Sequence, residues 1–489
     1  MWRAFSKRSY ASRPSAGVWH GRVGWTTWTR CRIARTLEEQ FPATAETQPE
    51  LLAYHYTEAQ LTDQAIDYWQ RAGQRASKRS ATVEAIAQLS KALELLESLP
   101  PSVGRDRKEL GLRIDLTTPL IASKGMAAPE MGQTITRARS LCERLGETTR
   151  LFPVLYGQWV FHHVSGQAAK GLEYAEEAAR LAEGESSEIP RMVAHRTLGI
   201  ALVGLGEPAL ARRHLEDGNR LYDAERHRDL ALVYGMDFFE VNLAYLALTD
   251  WFLGFPDRAL KANEETIRFA RSLAHANSLC HALCFGAGTL HTFNRQFASA
   301  QAIGEELMRV ADEHEMPQWT LFGRMFISFG LLEGEQEEGT NTLEACLERC
   351  RAVPMLANST LALARLAESQ ARKGEYENAL KSLEEADGII EAGGERWARS
   401  EIVRLKGEIL RAQSASGDAE SCFRRAVEVA QRQGAKLLQL RAAVSLARLQ
   451  QSQGRFREAR EPLAPLYDWF TEGFDTADLK DAKALLDQL

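Results

Sequence analysis

Seven arginines recur through the last third of the sequence, at Arg324, Arg365, Arg372, Arg404, Arg411, Arg441 and Arg448. A guanidinium stays charged near neutrality and presents a planar fork of donors. A row of them suits carboxylates or phosphates and would clamp an acidic peptide or tail. The same spacing also supplies internal partners, because Glu368 lies within a helical turn of Arg365 and Arg372, and Glu408 of Arg404 and Arg411. Solvated intrahelical pairs are the competing reading. Farther towards the N-terminus the comparable positions are aromatic: Tyr245, Trp251, Phe252, Phe285 and Phe293. Such rings pack as core or line an apolar pocket. The predicted ligand groove therefore consists of the seven arginines with Tyr245, Trp251 and Phe285.

Residue patterns for catalysis or metal binding are absent. No phosphate-binding loop of the form G-x4-G-K-[ST], zinc helix H-E-x-x-H, nucleophile elbow G-x-S-x-G, EF-hand loop or C-x2-C pair occurs. His162 and His163 are adjacent, and neighbouring helical residues point about 100° apart, so the two rings belong to a polar face rather than to one ligand site. Cys280/Cys284 and Cys346/Cys350 have the spacing of one helix face, with His281 nearby. Neither pair has a second pair at ligand spacing, and cysteine is a common small core residue. No catalytic residue, metal or cofactor is expected. Asn358-Ser359-Thr360 is formally a glycosylation sequon, unused in a cytoplasmic protein.

The elements that must position these residues are helical. In the stretch 363–386, Leu363, Leu366, Ala367 and Gln370 share one helix face, and Tyr376, Ala379, Leu383 and Ala386 share another, with Lys373-Gly374 as the break. A small residue opening each second helix recurs at Gly171, Ala211, Ala259, Ala300, Gly339, Ala379, Ala419 and Ala459, at intervals of 39 to 41 residues except for one longer step before Ala259. The spelling Trp319-x2-Phe322-Gly323-x2-Phe326 in first helices, and Ala419-x3-Phe423-x2-Ala426 and Phe456-x2-Ala459-x3-Leu463 in second helices, resembles the tetratricopeptide (TPR) repeat. The fold class is all-α, a TPR-like α-solenoid: a right-handed superhelix of hairpins with a period of about 40 residues. Each repeat of such a solenoid is expected to touch only its neighbours along an open spiral.

A chain of 489 residues with net charge −6 has no general basic surface for nucleic acid or membranes. The most hydrophobic stretch, 243–255, is short and carries Asp250. Seven scattered cysteines form no disulfide framework and point to a reducing compartment; the expected localisation is cytoplasmic. Residues 1–31 differ from the rest: they are basic, hold Trp2, Trp19, Trp25 and Trp28, and lack acidic residues. They are expected to be a disordered or non-native extension, with a transit peptide or a basic-aromatic arm that touches nucleic acid or lipid as the competing readings. Residues 32–100 read as N-terminal hairpins, including Leu52-Ala53-x2-Tyr56 with Ala65-x3-Trp69-x2-Ala72, stopped by Pro100-Pro101. Residues 101–466 read as the repeats. Residues 467–489 read as a turn and capping helix with Leu479, Ala482, Leu485, Leu486 and Leu489 on its buried side.

Two stretches carry a further resemblance. RIARTLEEQFP at 32–42, continuing to Pro100, and the tail YDWFTEGFDTADLKDAKALLDQL at 467–489 resemble the C-terminal TPR region of bacterial signalling proteins. These proteins join a class III adenylate/guanylate cyclase to an AAA or STAND-type ATPase. The resemblance covers nearly all of 32–489 and implies repeats that sense or bind a partner. The cyclase and ATPase sequences themselves do not occur here, so their catalytic residues have no counterparts. The expectation is a non-enzymatic scaffold or sensor that binds protein or peptide, acidic if the arginines engage it, in signalling. The alternative is a regulatory subunit, or truncated remnant, acting with a separate cyclase/ATPase chain. A LuxR-type transcription arm would need a helix-turn-helix, which the segment after Trp469 is too short to supply.

Overall fold

The computed structural model describes residues 21–79, 81–184, 187–352 and 357–489. Among these residues there is no strand, and no helix is long and apolar enough to cross a membrane. The chain divides into two compact units, Met1–Asp115 and Leu116–Leu489.

In the first unit, helix Gly21–Gln40 precedes the hairpin Pro49–Glu58 and Thr62–Lys78, and Thr82–Glu97 follows. Helix Gly21–Gln40 runs across the boundary expected at Arg32; residues 1–20 of the expected extension lie outside those described. Packing is the reason: Ala34 is buried with Leu52, Ala53, Tyr56, Ala65 and Tyr68. The Glu38 carboxylate accepts hydrogen bonds from the Tyr56 and Tyr68 hydroxyls, the latter at 2.8 Å. The two phenol rings stack 5.5 Å apart.

The second unit is a TPR-like solenoid. After Pro129–Leu145 come the hairpins Thr148–Val164 with Ala168–Ala182, Glu188–Gly204 with Pro208–Leu221, and Phe238–Phe252 with Pro256–Ser272. The fourth first helix is composite, Ala276–His281, Ala282–Gly288 and Thr289–Phe293, with a π-helical middle segment, and it pairs with Phe297–Glu313. Pro317–Glu333 with Glu337–Ala352, Ser359–Arg372 with Tyr376–Glu391, Arg399–Ala412 with Ser416–Gln433, and Lys436–Ser452 with Phe456–Asp468 follow, and Ala477–Leu486 ends the series. The long step before Ala259 is the insertion of two short helices, Ala224–His227 and Leu230–Tyr234, between the second and third hairpins.

One backbone device repeats in all eight turns. Gly166, Gly206, Gly254, Arg295, Glu335, Gly374, Ser414 and Gly454 have positive φ. The next residue's N–H then reaches back to the first helix, as where Arg455 donates to Gln450 O at 2.9 Å while Gly454 donates to Gln451 O at 2.9 Å. This is a Schellman closure, which satisfies carbonyls that the helix end would otherwise leave open. It also aims the second helix back along the first. The small anchors Ala211, Ala259, Ala300, Ala379, Ala419 and Ala459 are fully buried where the two backbones meet.

The winding departs from the open spiral. Ala357 N–H donates to Val164 O at 3.3 Å and Ala169 N–H to Gly393 O at 3.1 Å. Gly473 N–H donates to Asp257 Oδ2 at 2.8 Å, and Arg258 N–H to Glu472 Oε1 at 2.9 Å. Phe252 and Phe293 lie 5.9 and 5.1 Å from Trp397, and Phe255 lies 5.8 Å from Trp469. Turns of the first and third hairpins therefore meet chain about five hairpins later, and the end of the fourth first helix meets Trp397 just after the sixth hairpin. Contact between neighbouring repeats alone is corrected accordingly: the superhelix is wound tightly enough for successive turns to touch.

The turn geometry generates a stability prediction. Nothing lies within 4 Å of a Cβ added at Gly454, whose φ is +75°, so Gly454→Ala isolates backbone strain. It is expected to destabilise the protein by about 1 kcal/mol in urea melts, whereas Ser414→Gly, at φ 66°, should be neutral or stabilising. A stable Gly454→Ala together with a destabilised Ser414→Gly would contradict this account of the turns.

Candidate functional site

First helices of the later hairpins enclose a cavity of about 370 Å3. Its walls come from Ser359–Arg372, Arg399–Ala412, Lys436–Ser452 and Ala477–Leu486, together with the turn around Arg295. Five of the seven predicted arginines line it: Arg365, Arg372, Arg404, Arg441 and Arg448. Arg324 and Arg411 do not. Arg324 lies on the exposed face of Pro317–Glu333, and the exposed Arg411 pairs with Glu408 at 2.9 Å.

The arginines are not a bare ladder. Arg404 grips Glu401 with two bonds of 2.7 and 2.9 Å, and Arg441 stands 3.5 Å from the same carboxylate. Arg441 in turn forks onto Asp478 at 2.6 and 3.0 Å and donates to Phe293 O at 2.7 Å. Arg295 bonds Asp481 at 2.8 Å, and Arg448 approaches Asp481 at 3.6 Å. Ser445 donates to Glu408 at 2.6 Å, and Glu408 lies 3.5 Å from Arg404. A relay of alternating charge thus crosses two first helices, Arg399–Ala412 and Lys436–Ser452, the terminal helix and the Arg295 turn. Arg365 pairs with Glu368, and its guanidinium sits 3.7 Å from the Phe297 ring centre. Arg372 reaches Glu333 at 3.3 Å, not Glu368.

Burial alone would push the Glu401 carboxyl up, but Arg404 and Arg441 outweigh it and hold it at about 2. Arg441 is likewise raised: burial opposes its charge, and Asp478 and Glu401 overcome that. Charge pairing here is structural, since removing one member leaves an uncompensated ion in a poorly solvated place.

The aromatic half of the prediction falls elsewhere. Tyr245 and Phe285 line two smaller cavities of about 50 and 40 Å3. Trp251 lines none of these three cavities; its ring is fully buried, stacks 4.8 Å from Phe293 and donates to Asn294 Oδ1 at 2.9 Å. His162 and His163 do diverge, His162 bonding Gln167 at 2.7 Å beside Tyr174. The polar-face reading fails for His163, which stacks 5.2 Å from Trp159 and lines both small cavities. Burial keeps His163 neutral, lowering it to about 4. Cys280 and Cys284 are core residues, and burial pushes the Cys280 thiol up to about 12. Among the described residues no group of three or more His, Cys, Asp or Glu could hold a metal.

Sequence reasoning missed Arg295, Glu401, Asp478 and Asp481. Asp478 and Asp481 stand at i and i+3 on the terminal helix, a hint of one charged face, but Arg295 lies 186 residues from Asp481 and no local pattern couples them.

No family model matches the chain. An uncharacterized protein of Rhizobium meliloti (strain 1021) is 27% identical over 408 residues, 81% of this chain and 39% of that protein. The chain therefore spans well under half the length of that relative. Among solved structures, the APC/C hetero-tetramer Cut9-Hcn1 superposes with TM-score 0.51 at 10% identity, covering 95% of this chain and 87% of that one. That likeness is one of fold. A Rap protein complexed with competence and sporulation factor gives TM-score 0.46 at 11% identity, covering 82% of this chain and 99% of that one.

The Glu401 environment generates an acid-stability prediction. A carboxylate held below its ordinary value of 4.5 stabilises the fold fully above that pH, and the contribution is lost as pH falls towards about 2. Glu401→Gln should flatten the loss of melting temperature across that window and cost roughly 3 kcal/mol at neutral pH by stranding Arg404 and Arg441. An acid limb identical to wild type would rule out this role.

Proposed function

We propose that the second unit is a non-enzymatic binding module, a scaffold or sensor in signalling, and that a peptide or protein segment seats in the cavity of about 370 Å3. The observation that carries this reading is the wall itself. Its size lies in the range of ligand pockets, and Ala364, Ala367, Ala371, Tyr376, Leu405 and Val444 offer an apolar strip between charged rows. The most buried arginines are engaged by their own carboxylates. Arg372 and Arg448 are 34% and 50% exposed and hold single carboxylate contacts of 3.3 and 3.6 Å, which leaves donors for an incoming group. The preferred segment therefore carries apolar side chains with an acidic residue towards either rim.

A second reading has its own support. The Rhizobium relative is far longer than the part matched here, so the matched region of that protein stands beside other sequence. In this reading the module regulates, or is a remnant of, a cyclase or ATPase and acts with a separate catalytic chain. Nucleotide-cyclising activity that co-purifies with the chain and disappears when it is depleted would favour this role.

Selection from a displayed peptide library on the purified chain tests the first reading. Enriched peptides should be acidic, and Arg372→Glu with Arg448→Glu should weaken their binding at least tenfold at physiological salt. Failure to enrich any family of peptides, or binding indifferent to both reversals, would sink it.

A further inference from the structure

The interior of the early hairpins holds a charge that the fold does not answer. Arg196, on Glu188–Gly204, is 1% exposed, and its Nε and Nη1 atoms are buried without any hydrogen-bond partner. Among the described residues it makes no ion pair. Its guanidinium lies 4.8 Å from the Phe238 ring centre and 5.8 Å from that of Tyr156. Aromatic faces offset part of the cost of burying a cation, but they are no substitute for an anion.

The neighbouring acid does not cancel this charge. Glu240 is fully buried, with Oε1 2.9 Å from His281 Nδ1 and Oε2 unpartnered. Burial drives the Glu240 carboxyl well above its usual range, and burial lowers His281 to about 3. Both shifts favour the uncharged forms of this pair, and neither Glu240 oxygen pairs with Arg196. Two other buried acids are engaged elsewhere: Asp237 accepts from the Phe239 and Glu240 N–H groups and the Tyr222 hydroxyl, and Glu395 from Asn358 N–H and Thr360.

Beside it is space. Arg196 lines a cavity of about 50 Å3 with Tyr156, Ile200, Val241, Tyr245 and Phe285. An adjoining cavity of about 40 Å3 shares His163, Ile200, Tyr245, Phe285 and Ala357 with it. The π-helical segment Ala282–Gly288 carries Phe285 into both walls, and such segments are frequent at functional sites.

We propose that this interior is a binding site for a small monocarboxylate, with its two oxygens on the Arg196 guanidinium and a short apolar tail among Ile200, Val241 and Phe285. A carboxylate matches the donor fork and supplies acceptors for the unpartnered Nε and Nη1 atoms. The Tyr245 hydroxyl and His163 Nε2, 3.4 Å apart, add polar atoms in the same wall. Mostly apolar walls disfavour a strongly hydrated dianion such as phosphate. The combined space suits a ligand of roughly four non-hydrogen atoms, the size of acetate, given that an apolar cavity of about 150 Å3 takes benzene. The site shares only Phe293 and Trp397 with the walls of the peptide cavity and does not depend on that reading.

The test is thermal melting and calorimetry of the full chain with acetate, propionate, butyrate and benzoate, against chloride and phosphate at matched ionic strength. A short carboxylate should raise the melting temperature saturably, and the change should also be visible in the fluorescence of Trp159 and Trp319, which line the cavity. Arg196→Met should raise the melting temperature of the unliganded protein and weaken carboxylate binding at least tenfold. Ala357→Phe fills the shared wall while leaving Arg196 in place. It should weaken binding as well, and it decides the matter if Arg196→Met does not fold. Equal stabilisation by chloride or phosphate, no carboxylate effect beyond the salt control, or full affinity retained in Ala357→Phe would overturn the proposal.

Discussion

Two helices can lie backbone to backbone only where a small side chain stands between them and the chain reverses in a left-handed turn. Each hairpin of the second unit meets both conditions within six residues, as in Gly454 followed by Ala459. The Schellman bonds close the first helix and set the angle of the second. Arg295, Glu335 and Ser414 adopt the same positive φ without the freedom of glycine. Closure of the hairpin therefore outweighs the local strain at those turns, of order 1–2 kcal/mol each.

Repeating one hairpin geometry accumulates a fixed rotation, and here the sum brings early turns against late ones. That contact converts a string of neighbouring interfaces into a structure with an interior. It is held by backbone bonds such as Ala169 to Gly393, by the Trp397 cluster and by the Arg258–Glu472 and Asp257–Gly473 pairs. An interior imposes an electrostatic rule, since ions withdrawn from water must find partners. Around Glu401 and Asp478 the chain supplies both signs and the relay is internally satisfied. At Arg196 no carboxylate comes within pairing distance, and two guanidinium nitrogens stay unpartnered, which sets that residue apart from the paired arginines.

Much of the fold was readable from residue spacing. Eight anchors, glycines in five of the eight turns, and first-helix patterns such as that at Trp319 each record a contact within one hairpin or between neighbours, over distances that periodicity samples well. The site was readable only in part. Arg365, Arg404 and Arg441 were found because they repeat with the helices, but the counter-ion of Arg441 was missed, since Asp478 comes from the terminal helix. Arg196 carried no signal, because a lone arginine in an amphipathic helix looks the same whether it faces water or the interior.

The sequence by itself determined the hairpin, its period and the class of the fold, because small anchors and turn residues act on segments a few residues away. Tertiary structure alone decided which surfaces became interior, which charges met, and where cavities remained. Those outcomes depend on the pitch of the superhelix, a sum of small angles over many hairpins, to which no single repeat contributes enough to be read in isolation.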